Sequence, residues 1–514
     1  MIGSFPILSL IVFAPFLAAL VLIFLPAGQK MAIRLVSLVG ATVSLVGSLL
    51  VAVDFDKAKM GFQFEEIYPL VPSLGIHYHL AVDGWGVALL LLTGIIIFAG
   101  VWASWSVEDR PRDFFVFLLV LVAGVFGVFV AQDFFIFFLL YEIAVLPMYL
   151  LIGIWGSKGK VEPSGPFRVV FQYLDVGGKE YAAMKLTLML MGGSALILAA
   201  MMAMYWEMGG SFSFFEMQEH TFSHTLQLLA FPALWIGFGA LGGLWPFHTW
   251  SPDGHAAAPT AVSMLHAGVL MKLGAFGVIR VGMMLLPEGA QYWAVWVGSV
   301  AVINVLYGAL SAMAQRDLKY IVAYSSVSHM GIVLLGAATL TVNGWNGAIY
   351  QMVAHGVMTG MFFALVGIVY NRSHIRWIPD MGGFVKVMPL VAGFFALAGL
   401  SSLGMPGTAG FIAEFLVFVG AWEGAHSWWA IPAVLGAFIT AIYVLRAVKM
   451  VFFAEGPPER FTHLTDATSP ERVAIWTLGL CIVLFGVYPG LLLDFIDPVT
   501  VTYLGELAAA GVHP

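Results

Sequence analysis

Three charged residues lie deep inside apolar runs of this sequence, where charge is costly. Glu142 sits in FFIFFLLYEIAVLPMYLLIGIWG, Lys272 in VLMKLGAFGVI and Glu414 in AGFIAEFLVFVG. Insertion scales put an Asp, Lys or Arg at the centre of a membrane helix at about 2.5–3.5 kcal/mol. Such groups need partners or water. For any one of them an ion pair tying two helices together is the alternative; three on separate runs favour a path. Histidines join the set: His266 six residues before Lys272, His329 in YSSVSHMGIVLLG, His355 in YQMVAHGVMTGMFF, and His248 and His255 around a break in the chain. Imidazole titrates near neutrality and can pass protons. A lysine gives up its proton more readily when desolvated and holds it when a carboxylate approaches. Carboxylate, ammonium and imidazole in series are therefore the parts of a proton relay, loaded and unloaded by moving charge nearby. Lys319 and His248 read as support for that path. The spacing of His, Cys and acidic residues matches no metal motif such as HExxH.

Relay residues of this kind must be held by membrane-spanning elements. The chain has 514 residues, 61% hydrophobic and 10% charged, with a net charge of −7 and a mean hydropathy of +0.95. Charged residues make up about 25% of an ordinary soluble domain, so that class is excluded. About fourteen apolar spans can be marked, at roughly 5–26, 33–53, 81–105, 114–131, 134–156, 183–206, 226–250, 257–284, 291–313, 319–338, 346–370, 387–422, 427–452 and 473–494. Their length, without a short alternating pattern, predicts an all-α polytopic membrane protein and not a barrel. The opening MIGSFPILSLIVFAPFLAALVLIFL has no basic n-region and no small-residue cleavage site, and reads as the first retained helix. A single cysteine, Cys481, leaves no intrachain disulfide and no cysteine-held cluster.

Orientation follows from the basic residues. With the N-terminus outside, eighteen of the 22 lysines and arginines fall in cytoplasmic loops, Lys57, Lys59 and Arg280 fall outside, and Lys272 stays in the membrane. That asymmetry predicts both termini on the outer side. The charged loops 157–182 and 453–472 are too short to bury cores of their own, so the chain reads as one membrane domain. Two spans are interrupted, one at Trp245-Pro246 with Gly254 and one at Gly404-Met405-Pro406-Gly407 with Gly410. Interrupted helices in corresponding halves point to an inverted-repeat transporter, although Pro and Gly are also common in membrane helices generally.

The stretches PFHTWSPDGHAAAPTAVSMLHAGVLMKLGAFGVIR (246–280), RDLKYIVAYSSVSHMG (316–331), GMPGTAGFIAEFLVF (404–418) and LLYEIAVLPMYLLIGIWG (139–156) resemble the antiporter-like subunits of respiratory complex I, most closely those of the M type. The likeness runs from about residue 80 to 450. It implies fourteen helices with two inverted five-helix repeats and a broken helix in each, here 113–284 and 285–452, preceded by helices 1–3 in 1–112 and followed by a loop and last helix in 453–514. It also implies a central axis of protonatable groups. Glu142 matches the family's glutamate of the fifth helix, Lys272 the lysine of the eighth, and Glu414 the acidic exit residue of the twelfth. His329 and His355 fall on the connecting path. One position departs from the pattern: the seventh-helix lysine expected five residues before Pro246 is Leu241. His266, more like the L-type pattern, is the nearest substitute, and Glu142 is expected to respond to His266 or Lys272 instead.

The resemblance implies a proton-translocating subunit of an NADH:quinone oxidoreductase. This chain would carry no cofactor, with NAD, FMN, Fe–S clusters and quinone in partner subunits. Its partners would be L-type and N-type antiporter-like subunits, the lateral helix of the L-type subunit and the lipid bilayer, with no nucleic acid, in the bacterial cytoplasmic membrane. A stand-alone or Mrp-type cation/proton antiporter, a subunit of a membrane-bound hydrogenase or formate-linked complex, and a non-conducting scaffold are the alternatives.

Overall fold

In lipid, backbone polar groups must find their partners within the chain, so long apolar runs coil into helices. The computed structural model describes residues 5–158, 177–455, 459–509 and 511. Most of the charged loop 157–182, with Lys160 and Arg168, lies outside these residues. The first helices are α1 (Ile7–Phe24), α2 (Lys30–Asp54), α3 (Gly84–Ala103), α4 (Pro111–Val130), α5 (Phe134–Trp155) and α6 (Lys179–Glu207). An interrupted span follows, α7 (His224–Leu241) and α8 (Trp250–Ala257), then α9 (Thr260–Met283). Next come α10 (Pro287–Ala314), α11 (Leu318–Ala338) and α12 (Val342–Ser373). A second interrupted span is formed by α13 (Pro389–Ser402) and α14 (Ala409–Glu423), followed by α15 (Ala430–Phe452), α16 (Ser469–Val487) and α17 (Gly490–Ala509). Among the described residues 13 helical stretches are long and apolar enough to cross a membrane. The broken pair α13–α14 supplies one more crossing, which gives the fourteen expected.

Several features were not expected from the sequence. A two-stranded antiparallel hairpin, β1 (Gln63–Val71) and β2 (Ile76–Val82), fills what reads as a loop, with Tyr68 opposite Tyr78. Glu66 on the hairpin accepts from the free backbone N–H groups of Leu8 (2.8 Å) and Ser9 (3.1 Å), and so caps α1. Past the last crossing, the chain does not simply stop: α17 lies over the hairpin end of the bundle, where its Thr500 and Ile496 receive the indole N–H of Trp85. Arg280, expected in an outer loop, is buried inside α9. Lys185, counted with the cytoplasmic loop, lies inside α6, six residues past its start at Lys179.

The layering decides where chemistry can sit. The apolar stretches of α9 and α12 are buried along their whole length and that of α11 almost so, whereas α1, α2, α15 and α16 expose much of theirs. The outer helices thus meet lipid, and the three central ones meet only protein. Small residues allow the close contacts: a methyl at Gly193 of α6 would stand 2.8 Å from the Gly237 carbonyl of α7. At the end opposite the hairpin, Asp317 caps α11 through Lys319 N (2.9 Å) and pairs with Arg376 at 2.6 Å. Arg376 also donates to the Ala256 carbonyl at 2.7 Å, which fastens the loop after α12 to the broken span.

That pair generates a prediction. Removing one partner of a buried ion pair costs about 3–5 kcal/mol, because the other charge is left uncompensated. Arg376→Met is expected to destabilise the purified protein by about that amount, and Arg376→Met/Asp317→Leu by clearly less than the sum of the two single changes. Thermal unfolding in detergent measures this; strictly additive losses would show that the two side chains do not act as a pair.

Candidate functional site

The candidate site begins where α9 departs from α geometry. Residues His266–Leu270 and Val278–Met283 form two π-helical turns on either side of Met271–Gly277. Such widened turns occur mostly at functional sites. Lys272 lies between them with no solvent exposure, and its ammonium donates to the Ala267 carbonyl of the first π turn. The same nitrogen stands 2.7 Å from Nδ1 of His355 on α12. The rings of His355 and His329 on α11 have centroids 5.3 Å apart. His329 Nδ1 then stands 3.3 Å from a carboxylate oxygen of Glu414 on α14. Lysine, two imidazoles and a carboxylate thus form a file through four elements, every member buried.

Two residues that the sequence offers no reason to single out, Gln351 and Ser402, and one glycine of the second break fix the neighbours of this file. Gln351 places its amide nitrogen 3.1 Å from His329 Nδ1, the atom that also faces Glu414, and Ser402 places its hydroxyl 3.1 Å from Nε2. A neutral ring can accept from Gln351 and donate to Ser402; a protonated ring donates from Nδ1 to Glu414. Gaining or losing a proton therefore changes which neighbour His329 holds. The third residue, Gly404, has φ +69 at the second break. A methyl there would stand 2.7 Å from Glu414 Oε2, so glycine is needed both for the turn and for the carboxylate's position.

On the other side of Lys272 stands a stack of rings. His266 lies against Trp250 of α8 (centroids 5.0 Å, 22° between planes), and His255 of α8 lies 4.1 Å from His266. Both nitrogens of His266 and Nδ1 of His255 lack hydrogen-bond partners among the described residues. Two residues before His255, Asp253 receives Lys185 at 2.7 Å and the Tyr320 hydroxyl at 2.9 Å, and both members of the Lys185–Asp253 pair keep partial exposure. Lys319 donates to the Ala258 carbonyl at 2.8 Å, at the end of the same short helix. The break that creates this helix is itself satisfied: Asn304 of α10 accepts from Trp245 N at 2.8 Å and donates to the Val327 carbonyl at 2.9 Å.

The sequence-predicted residues therefore separate into three groups. Lys272, His355, His329 and Glu414 come together as one file. His266 and Lys319 lie at its approach from the end opposite the hairpin; His248 is buried there against the Tyr307 ring, with neither nitrogen bonded among the described residues. Glu142 stands apart. Its hydrogen-bond partner among the described residues is Ser194 of α6, and the face it shares carries the exposed side chains of Leu139, Leu146 and Tyr149. The expected link from Glu142 to His266 or Lys272 is not made in hydrogen bonds or ion pairs. Leu241 is fully buried at the end of α7, so its place holds packing and no base. The Lys185–Asp253–Tyr320 group was missed because each residue, taken singly, reads as a loop or boundary polar group.

Comparison with known proteins agrees with this architecture. Residues 131–440 match the family model described as NADH:quinone oxidoreductase/Mrp antiporter, TM. The chain is 36% identical over 510 residues to NADH-quinone oxidoreductase subunit M of Rhodobacter capsulatus, covering 96% of this chain and 95% of that protein. Among solved structures it superimposes on a chain of respiratory complex I from Thermus thermophilus with a TM-score of 0.86 and 26% identity, covering 97% of this chain and 99% of that one. A chain of the Mrp complex from Dietzia sp. DQ12-45-1b shares the fold at a TM-score of 0.81 and 18% identity, covering 98% and 99%. With its two interrupted spans and its buried Lys–His–His–Glu file, the chain belongs to the NADH:quinone oxidoreductase/Mrp antiporter transmembrane family.

Proposed function

We propose that this chain is the M-type antiporter-like subunit of a redox-driven NADH:quinone oxidoreductase and that it moves protons across the membrane through Lys272, His355, His329 and Glu414. The observation that carries the reading is the file itself: 2.7 Å from Lys272 to His355 and 3.3 Å from His329 to Glu414, with all four side chains buried. A proton leaving the Lys272 ammonium goes to Nδ1 of His355, crosses to His329 by a ring turn or a water, and reaches the Glu414 carboxylate. Supply comes from the end opposite the hairpin, past Lys185 and Asp253, with Lys319, His255 and His266 lining the approach and His248 supporting the break. The hairpin end faces outside, as the distribution of basic residues supports. Each half of the chain, 113–284 and 285–452, contributes one broken span to the path.

The chain performs no redox chemistry in this reading. NAD, FMN, Fe–S clusters and quinone belong to partner subunits, and the bundle's neighbours are L-type and N-type antiporter-like subunits and the lateral helix of the former. Glu142, on an open face with Ser194, is placed to sense the charge of such a neighbour. The setting is a bacterial cytoplasmic membrane.

Three outcomes test this. In proteoliposomes of the whole complex driven by NADH and quinone, Lys272→Ala is expected to assemble normally and lose most proton uptake per electron transferred; wild-type uptake would reject the path. Gly404→Ala, which moves the Glu414 carboxylate without removing it, is expected to reproduce the pumping defect of Glu414→Gln. Normal pumping in Gly404→Ala together with failure of Glu414→Gln would show that the carboxylate's position is not critical. Glu142→Gln is expected to leave a larger share of pumping than Lys272→Ala, and the reverse order would put the perimeter, not the centre, in control.

A further inference from the structure

A second buried cation lies on the Lys272 helix, and the file does not use it. Arg280 sits in the second π turn of α9, 5% exposed. It donates to an Asp83 carboxylate oxygen at 2.5 Å and to the Tyr503 hydroxyl at 2.8 Å. The rings of Phe62, Trp85, Phe276 and Tyr503 surround the guanidinium with centroids 5.2–5.4 Å from its carbon. Asp83 is fixed from the other side, since its second oxygen caps α3 through Gly86 N at 2.9 Å. Above the pair, a cavity of about 190 Å³ opens at the hairpin end; Asp83 and Tyr503 are in its wall, together with the exposed ion pair Lys57–Asp494.

This arrangement is a cation site whose cation is tethered. A carboxylate among aromatic faces, reached from a surface cavity, would attract a small cation or a hydrated proton. Here the guanidinium fills it permanently. Arginine does not lose its proton in proteins, and both oxygens of Asp83 are already bonded, one to Arg280 and one to a backbone N–H. The cluster therefore stands between Lys272 and the hairpin end as a carboxylate already occupied by a fixed cation, with aromatic rings packed round the guanidinium. Three separate elements build it: α9 gives Arg280, the residue before α3 gives Asp83, and α17 gives Tyr503.

We propose that Asp83, Arg280 and Tyr503 form a tethered-cation plug that closes the hairpin end of the Lys272 helix, so that a proton on Lys272 leaves only sideways toward His355 and Glu414. The inference rests on the proton path proposed above and adds what gives it direction. These three are positioning residues, since none of them carries the proton.

The test uses the whole complex in proteoliposomes. Arg280→Ala is expected to leave electron transfer unchanged when an uncoupler is present, yet to lose gradient several-fold faster once electron transfer stops. Guanidinium ion added at sub-denaturing concentration should enter the cavity, refill the Asp83 site and restore the gradient. Arg280→Met/Asp83→Asn, which leaves no charge unpaired, should leak in the same way without rescue, and it serves if Arg280→Ala fails to assemble. A gradient as tight as wild type in the assembled double variant would overturn the plug, as would a leak in Arg280→Ala that guanidinium cannot reverse. Lys272→Ala is measured in parallel. If it pumps normally while the Arg280 variants leak, the path is wrong and the plug is only a permeability barrier; if it fails to pump while they stay tight, the path stands without the plug.

Discussion

The constraint from which this structure follows is the cost of an ammonium group held away from water. Lys272 has no exposure and, among the described residues, no carboxylate at hydrogen-bond distance; its neighbours are a backbone carbonyl and an imidazole. An isolated charge in such surroundings is tolerable only if backbone and polar side chains are aimed at it. The π turn at His266–Leu270 provides the carbonyl, and α12 provides the imidazole. Neither neighbour offsets the charge as a carboxylate would, which is what the proposed path asks of its donor. The surrounding bundle encloses the apolar stretches of α9 and α12 along their whole length and that of α11 almost so.

Interrupted spans are the second half of that bargain. A continuous helix satisfies its own backbone and offers a path nothing but side chains. The break after α7 frees backbone groups, which Asn304 and the short helix α8 take up, and it places Asp253, His255 and Trp250 at the approach to Lys272. The break after α13 brings Glu414 against the Gly404 turn and within reach of His329. Chain irregularity at membrane depth is thus confined to positions enclosed by protein, where its polar groups serve the file.

Much of this was legible in the sequence for one reason: charge in an apolar run is rare enough to be informative. Lys272 and Glu414 stand out by that criterion, as does Glu142, which lies apart from the file; His329 and His355 stand out as imidazoles in apolar runs and by the family resemblance, and the crossings by their length. What stayed hidden depends on residues distant in the chain. Arg280 sits eight positions past Lys272 near the end of an apolar run and reads as a border residue; only Asp83 and Tyr503, 197 and 223 residues away, make it a core group. Gln351 and Ser402 look like ordinary helix polars until they converge on the two nitrogens of His329. The hairpin was missed because its strand Gln63–Val71 is mostly exposed, so it lacks the alternation that marks a half-buried strand.

The substitution of Leu241 for a lysine also acquires a physical sense. A lysine at the end of α7 would add an ammonium to an approach that already carries Lys185 and Lys319, and like charges repel strongly in low dielectric unless a carboxylate answers them. Asp253 is already paired with Lys185, Glu142 faces the perimeter with Ser194, and nearer Lys272 the approach is lined by imidazoles stacked on an indole. Leucine at 241 adds no further charge there, and Lys272 is the cation of the Lys272–His355–His329–Glu414 file.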